Sequence, residues 1–416
     1  MNHFLFFILN LNVCLSMVVG MSHAATIHVG KTHAFKSIHS AIAKANAGDT
    51  ILVHSGLYQE GNINIDKRLT LIGIDHPVID GKKEYEPISI RVEGVTVKGF
   101  TIQNSGHSSM NDIAGIKIYN TNNVTITDNI LDDNFFGIYA QESRNCHIEN
   151  NRLRAYGKAE HFVGNGIHAW KSDSITIVGN EIMGHRDGIY LEFVTHTEVD
   201  SNLSQNNLRY GLHFMFSHDN SYLYNTFTSN GAGVAVMYTD RVRMEHNVFN
   251  ENWGDSAYGL LLKDIRDSHI QHNVFAKNTT AIYMEGSNRI QMLDNRFENN
   301  GWAIKIFSSC MNNTLSRNSF IQNTFDIATN GGRMTNRFEE NYWDKYEGYD
   351  LDKDGIGDVP HHPVSLFSIL VERYPSMMLL FRSFMVTLFD RSEKLIPSLT
   401  PEHLKDDKPL MKSAII

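Results

Sequence analysis

Cysteine is scarce in this chain, with three in 416 residues. Cys14 falls in an apolar leader, which leaves Cys146 and Cys310. In the repeat described below these two lie about seven coils apart, on the order of 34 Å at a strand spacing of ~4.8 Å. A disulfide needs Cα atoms within roughly 7 Å, so stability must come from packing. Positive charge is short as well: 37 Lys and Arg stand against 46 Asp and Glu, a net charge of −9. That balance argues against nucleic acid or an anionic membrane surface as a partner. Neither the leader nor the apolar tail offers an unbroken run of the ~20 apolar residues that a membrane span requires. Amphipathic helices are missing from the body of the chain, which speaks against leucine-rich and all-helical solenoids.

What is present is a period of about 22 residues. Nine segments open on Gly or Ala and continue with alternating apolar residues: Gly115, Gly137, Gly166, Gly188, Gly211, Gly233, Gly259, Ala281 and Ala303. A second marker keeps phase, an Asn followed two residues later by an apolar side chain, as in Asn129/Leu131, Asn225/Phe227, Asn273/Phe275 and Asn318/Phe320. The Asn202 copy is degenerate, with Ser204 in the apolar place. Within each copy, positions +1 and +3 from the opening residue are apolar, as in Ile189/Leu191 and Leu212/Phe214. Period two marks a strand with one buried face. Short second strands such as NVTIT at 123–127 follow. Two or three such strands per coil, with Asn- and Gly-rich corners, describe an all-β, right-handed parallel β-helix. Asn suits a left-handed corner, and its amide can bond to its equivalent one coil away.

Four regions follow. Residues 1–24 read as a secretory signal, with an apolar core and cleavage after Ala24. Residues 25–343 form the β-helix, opened by a capping helix within 35–47 that puts Phe35, Ile38, Ile42 and Ala45 on one face. Residues 344–363 are an acidic loop. Residues 364–416 are an apolar, helical tail, part cap and part docking arm, whose removal after Val364 is expected to leave the β-helix folded.

The chemistry-bearing residues sit at positions +2 and +4, which face away from the core. The middle coils place His168/Trp170, Tyr190/Glu192, His213/Met215 and Ala235/Met237 there. His and Met together are a ligand set for a soft cation such as Cu(I); a patch covered by a loop or a partner chain is the plainer reading. Insertions at 105–112, 156–163 and 252–256 emerge at one corner beside this row and carry His107, Met110, His161 and Trp253. Asp187 and Arg186 read as turn residues. In the acidic loop, Asp350, Asp352, Asp354 and Asp358 take positions 1, 3, 5 and 9 of an EF-hand-like calcium loop, with Gly355 at position 6. Position 12 is His361, so the bidentate closure is missing.

The opening stretch FKSIHSAIAKANAGDTILVHSGLYQE (35–60), coils such as GLHFMFSH (211–218) and GVAVMYTD (233–240), and NYWDKYEGYDLDKDGIGD (341–358) together resemble the NosD family. The resemblance spans essentially the whole chain. It implies a non-enzymatic periplasmic protein, peripherally bound to an inner-membrane complex with an ABC-type permease and its ATPase. It also implies a link to a copper chaperone lipoprotein and to assembly of the copper–sulfur centre of nitrous oxide reductase. The rival reading is a polysaccharide lyase, hydrolase or epimerase on the same fold. Such chemistry needs paired carboxylates, and Glu192 has no outward neighbour of that kind in the row. A plain adhesin or scaffold leaves the His/Met row unexplained.

Overall fold

The computed structural model describes residues 24–108, 110–254, 257–330, 335–381, 383–395 and 404–413; the leader at 1–23 lies outside them. The alternating strands coil into three parallel sheets of a right-handed β-helix. The first sheet has 14 strands, from Thr26–Val29 to Arg337–Glu339. The second has 13, from Leu57–Tyr58 to Tyr342–Trp343, and the third has 12, from Ile63–Ile65 to Phe325–Ala328. A middle coil runs from third sheet (Phe136–Gln141) through first (His147–Glu149) to second (Arg152–Arg154). Positions +1 and +3 of the third-sheet strands line the core and are fully buried, as the pattern requires. Cys146 and Cys310 are buried and unpaired with each other.

In-register coils stack like on like. The second sheet's inward residues build a column of Phe227, Phe249, Phe275, Phe297, Phe320 and Trp343, with ring centroids 5.6, 4.4, 5.0, 4.9 and 4.1 Å apart. Ser204, one rung before Phe227, ends the column and spends its hydroxyl on the Gly211 carbonyl, at 2.7 Å.

The Asn marker forms the expected ladder. Each backbone N–H and side-chain amide donates to the Oδ1 of the Asn one coil on, as Asn225 does to Asn247 at 2.9 and 3.1 Å. The left-handed conformation, however, falls on the residue before the marker: Tyr224, His246 and His272 have φ of 53°, 56° and 55°. The ladder amide fixes the corner from inside, so even bulky neighbours are held at positive φ. A second ladder, Asn207–Asn230–Asn252–Asn278–Asn300–Asn323, runs along the other end of the second sheet.

Both ends are closed. Helix α1 (Ile38–Lys44) buries Ile38, Ala41 and Ile42, and the Glu60 carboxylate accepts its first N–H groups from Ile38 and His39 at 2.7 and 2.9 Å. At the far end the closing element comes from the tail itself. Residues 404–411 return as an extra rung, bridging Phe338 through Asp406 and Tyr342 through Leu410. Asp406 takes the next place in the Asn ladder. Its Oδ2 accepts from Asn341 N and Nδ2, both at 3.0 Å, and from Trp343 Nε1 at 3.1 Å. Truncation after Val364 would remove this rung. Helices α2 (Leu366–Arg373) and α3 (Phe384–Leu395) lie instead on the outside of the third sheet, where Phe367 and Val371 pack on Trp302 and Phe325.

Candidate functional site

The row at +2 on the outer face of the third sheet keeps strict register: Lys117, Tyr139, His168, Tyr190, His213, Ala235. Repetition at coil spacing forces these rings face to face. Tyr139 and His168 stack at 4.5 Å, His168 and Tyr190 at 4.8 Å, Tyr190 and His213 at 4.6 Å. The row therefore points outward as read from the sequence but is not an exposed stripe, because rings this close exclude water from each other's faces. His168 and His213 are buried. The Lys117 ammonium closes the row over the Tyr139 ring at 4.7 Å.

His168 has no hydrogen-bond partner at either ring nitrogen. Burial first, and the Arg186 charge second, push its pKa down to about 3, so the imidazole is neutral at physiological pH and keeps a free lone pair. It lies in the floor of an open groove of about 860 Å³. Trp170, Tyr190 and Glu192 line the same groove, and the insertion loops bring His107 and His161 to it. Burial pushes the Tyr190 phenol up to about 12. A ring contact chain ties His107 to His168 through Phe135 and Phe136, at 4.3, 5.0 and 5.6 Å.

Other expected members stand apart. Met215 and Met237 pair in register beside Glu192, half-buried, and do not line the groove. Met110 is 91% exposed on its loop, and Trp253 is exposed on the third insertion. His213 sits one rung beyond the groove, with Nδ1 3.4 Å from Asp187 Oδ2.

Asp187 overturns the turn reading. It is fully buried in the strand Asp187–Glu192 and receives Arg209 through Nε at 2.8 Å and Nη2 at 2.5 Å. Burial pushes its carboxyl up, but the bonds from Arg209 and the nearness of His213 outweigh it and hold the group below its ordinary value. Strict alternation hid this pair. A Cβ on Gly188 would meet Ser204 Oγ at 2.1 Å, and one on Gly137 would meet Leu153 Cδ2 at 2.5 Å, so the opening glycine faces inward. Two consecutive inward positions shift the phase and turn Phe136, Asp187 and Tyr210 outward.

In the acidic loop, Asp350, Asp352 and Asp354 bring carboxylate oxygens within 4.8 Å of one another. Asp358 is spent on the Leu351 N–H at 2.7 Å. The Asp354 N–H pulls the Asp352 carboxyl down, but the Asp354 charge and its neighbours push harder and leave it above its ordinary value. His361 does not close the loop: its ring packs at a tilt against Trp343, 5.0 Å between centroids, within the cap.

Comparison with known proteins agrees with the fold. A family model described as periplasmic copper-binding protein (NosD) matches residues 43–159 and 153–348. A probable ABC transporter binding protein NosD from Pseudomonas aeruginosa is 25% identical over 85% of this chain and 86% of its own length. Among solved structures, the catalytic domain of an α-1,3-glucanase aligns with TM-score 0.59 at 11% identity, over 77% of this chain and 69% of that one. PfbA, a surface adhesin of Streptococcus pneumoniae, aligns with TM-score 0.52 at 15% identity, over 70% and 86%. An enzyme and an adhesin on one fold show that the architecture decides neither role.

Proposed function

The chain belongs to the NosD family, and from that premise we propose that it is a periplasmic copper-handling accessory protein of an ABC-type complex. In this reading it serves assembly of the copper–sulfur centre of nitrous oxide reductase, receiving copper from a chaperone lipoprotein. The observation that carries the proposal is His168, a neutral, buried imidazole with both nitrogens unpartnered, in the floor of a groove edged by two more histidines. A buried polar group without a partner costs roughly 1–3 kcal/mol, and a bound ion offsets that cost. His168 would hold Cu(I) with His161 and His107 from the loops. His213, Met215, Met237 and Met110 would receive it along the neighbouring rungs, with Trp170, Tyr190, Glu192 and Trp253 shaping the face.

Competition with a Cu(I) chelator tests this. The His168→Ala variant is expected to lose about tenfold or more in affinity, and the Met215→Ala/Met237→Ala pair less. Parent-like Cu(I) binding by a chain lacking His168, His161 and His213 sinks the reading. Release of sugar from polyuronates by the parent would put a carbohydrate-active enzyme in its place.

The partner surface in this proposal is the outer side of the 3-10 turn Pro375–Leu380 and of α3. No helix among the described residues is long and apolar enough to cross a membrane, yet Leu379 is 89% and Phe384 76% exposed, with Met385 and Leu388 beside them. Contiguous apolar exposure of this kind marks a contact surface, here for the membrane permease and its ATPase subunit. Leu379→Ser/Phe384→Ser should keep the parental melting temperature and lose co-purification with the permease; retained co-purification removes the arm. The acidic loop would bind calcium in a structural role, pinning the terminal rung through the Gly357 N–H on Pro409 O and the Met411 N–H on Gly355 O. Asp350→Asn/Asp352→Asn/Asp354→Asn should abolish any rise in melting temperature with added calcium.

A further inference from the structure

At the opposite end from the cap, three imidazoles converge. His28 lies in the first strand, Thr26–Val29. His54 follows the second, Thr50–Val53, and His33 sits on the turn leading to α1. Their rings stack at 5.3, 5.3 and 4.1 Å with interplanar angles of 18–21°. His28 Nδ1 lies 3.0 Å from His54 Nε2, and one nitrogen from each ring falls within 4.8 Å of the others.

We propose that His28, His33 and His54 form a second metal site, for a divalent late transition ion such as Cu(II) or Zn(II). Around a tetrahedral ion with Zn–N distances of ~2.0–2.1 Å, ligand nitrogens sit roughly 3.4 Å apart. Imidazole lone pairs lie in the ring planes, so binding requires the stacked His33 ring to turn about its side-chain torsions and aim a nitrogen at the point that His28 Nδ1 and His54 Nε2 already share. The donor set is nitrogen alone, without thiolate or thioether, which suits Cu(II), Zn(II) or Ni(II) better than Cu(I). The scaffold beneath is rigid. Val29 pairs with Val53 and bridges Phe35, the His54 N–H donates to Val29 O at 2.9 Å, and the His33 N–H donates to Gly30 O at 3.0 Å. Tyr58 Oη donates to the His54 carbonyl at 2.8 Å.

Gly30 makes the room. A Cβ there would stand 3.1 Å from the His33 ring and 3.2 Å from His54 Cβ. None of the three histidines lines the groove that holds His168, so the two sites can be tested separately.

The probes are Cu(II) and Zn(II) salts added separately to the full mature chain, followed by calorimetry for both and by electron paramagnetic resonance for copper. One equivalent of Cu(II) should bind with nitrogen hyperfine structure. His33→Ala should weaken it at least about tenfold, since even outer-shell partners of a metal are worth 10–100-fold. Gly30→Ala, which keeps all three ligands, should weaken it as well, and His168→Ala should leave it unchanged. Competition between the two ions reports which is preferred. An unaltered nitrogen signal and stoichiometry in His28→Ala/His33→Ala/His54→Ala, or no binding of either ion by the parent, overturns the site. Should the triple variant fail to fold, parent-like affinity in His33→Ala alone does the same.

Discussion

Of the ring columns that run along this solenoid, one lies inside the second sheet and one outside the third. Inside, Phe227 to Trp343 stack at 4.1–5.6 Å. Outside, Tyr139, His168, Tyr190 and His213 stack at 4.5–4.8 Å. Geometry is the same in both, because parallel in-register coils place equivalent side chains one strand spacing apart. Chemistry differs. The inner rings carry nothing that needs water, whereas the outer imidazoles have ring nitrogens with no partner. The Asn ladders satisfy their buried amides rung by rung, whereas the outer imidazoles, like Asn165 Nδ2, both nitrogens of His185 and Tyr222 Oη, are left without partners. What sets His168 apart from these is its place in the lining of the open groove, where a ligand can reach it.

The largest effect that separates the columns is the loss of a ring. Phe275→Ala should cost about 3–5 kcal/mol in denaturant unfolding. The matching outer change, His168→Ala, removes its own unpartnered nitrogens with the ring and should cost about 1 kcal/mol at most. Equal losses would break the contrast.

Acid sharpens it next. His168 is held down to about 3, and His185 and His361 to about 4, all by burial first. In the unfolded chain each takes up a proton near 6.5. Unfolding therefore binds more protons between those limits: stability is complete above pH 6.5 and falls as the pH drops toward 4. Each histidine contributes on the order of 3 kcal/mol to that fall. His168→Phe and His185→Asn together should flatten the dependence when melts at pH 7 and 4.5 are compared; an unchanged slope would show the histidines to be wrongly placed. The Phe column has nothing to titrate.

The smallest effect plants the outer column's defect inside. Asp406→Asn keeps the shape of the terminal rung but brings an NH₂ group where only acceptors are wanted. A loss of about 1–3 kcal/mol is expected, read as a lowered denaturant midpoint at unchanged slope. A neutral outcome would mean the rung is held by Leu404 and Leu410 instead.

The coil itself was legible because it is local. Each rung restates the markers within about 22 residues, so the ladder and the buried +1 and +3 positions followed from spacing alone. The second ladder was equally readable, as Asn five residues beyond the first in NVFNEN, NVFAKN and NRFENN. Three things were not legible. Asp187 was hidden by the inward-facing opening glycine, which resets the alternation. His168 is buried by its neighbours' rings, a property of stacking that no single coil contains. The terminal rung pairs Asp406 with Asn341, 65 residues earlier, and nothing local announces a partner at that distance. For the same reason the groove's histidines from separate loops were nameable singly, while the grouping of His28, His33 and His54 needed the turn at Gly30 to close.

The amide ladder has a direction. Asn129 takes the single Phe100 N–H, and from there each rung presents two donors to the coil after, from Asn129 on Asn151 to Asn341 on Asp406. A chain stopped at Asn341 would end on unmet donors above an open apolar column, and the first coil of another molecule could meet them. Contacts of that head-to-tail kind do not close on themselves; they propagate as filaments. The carboxylate of Asp406 accepts and has nothing to pass on, so it works as a chain terminator for polymerisation as much as a cap for folding.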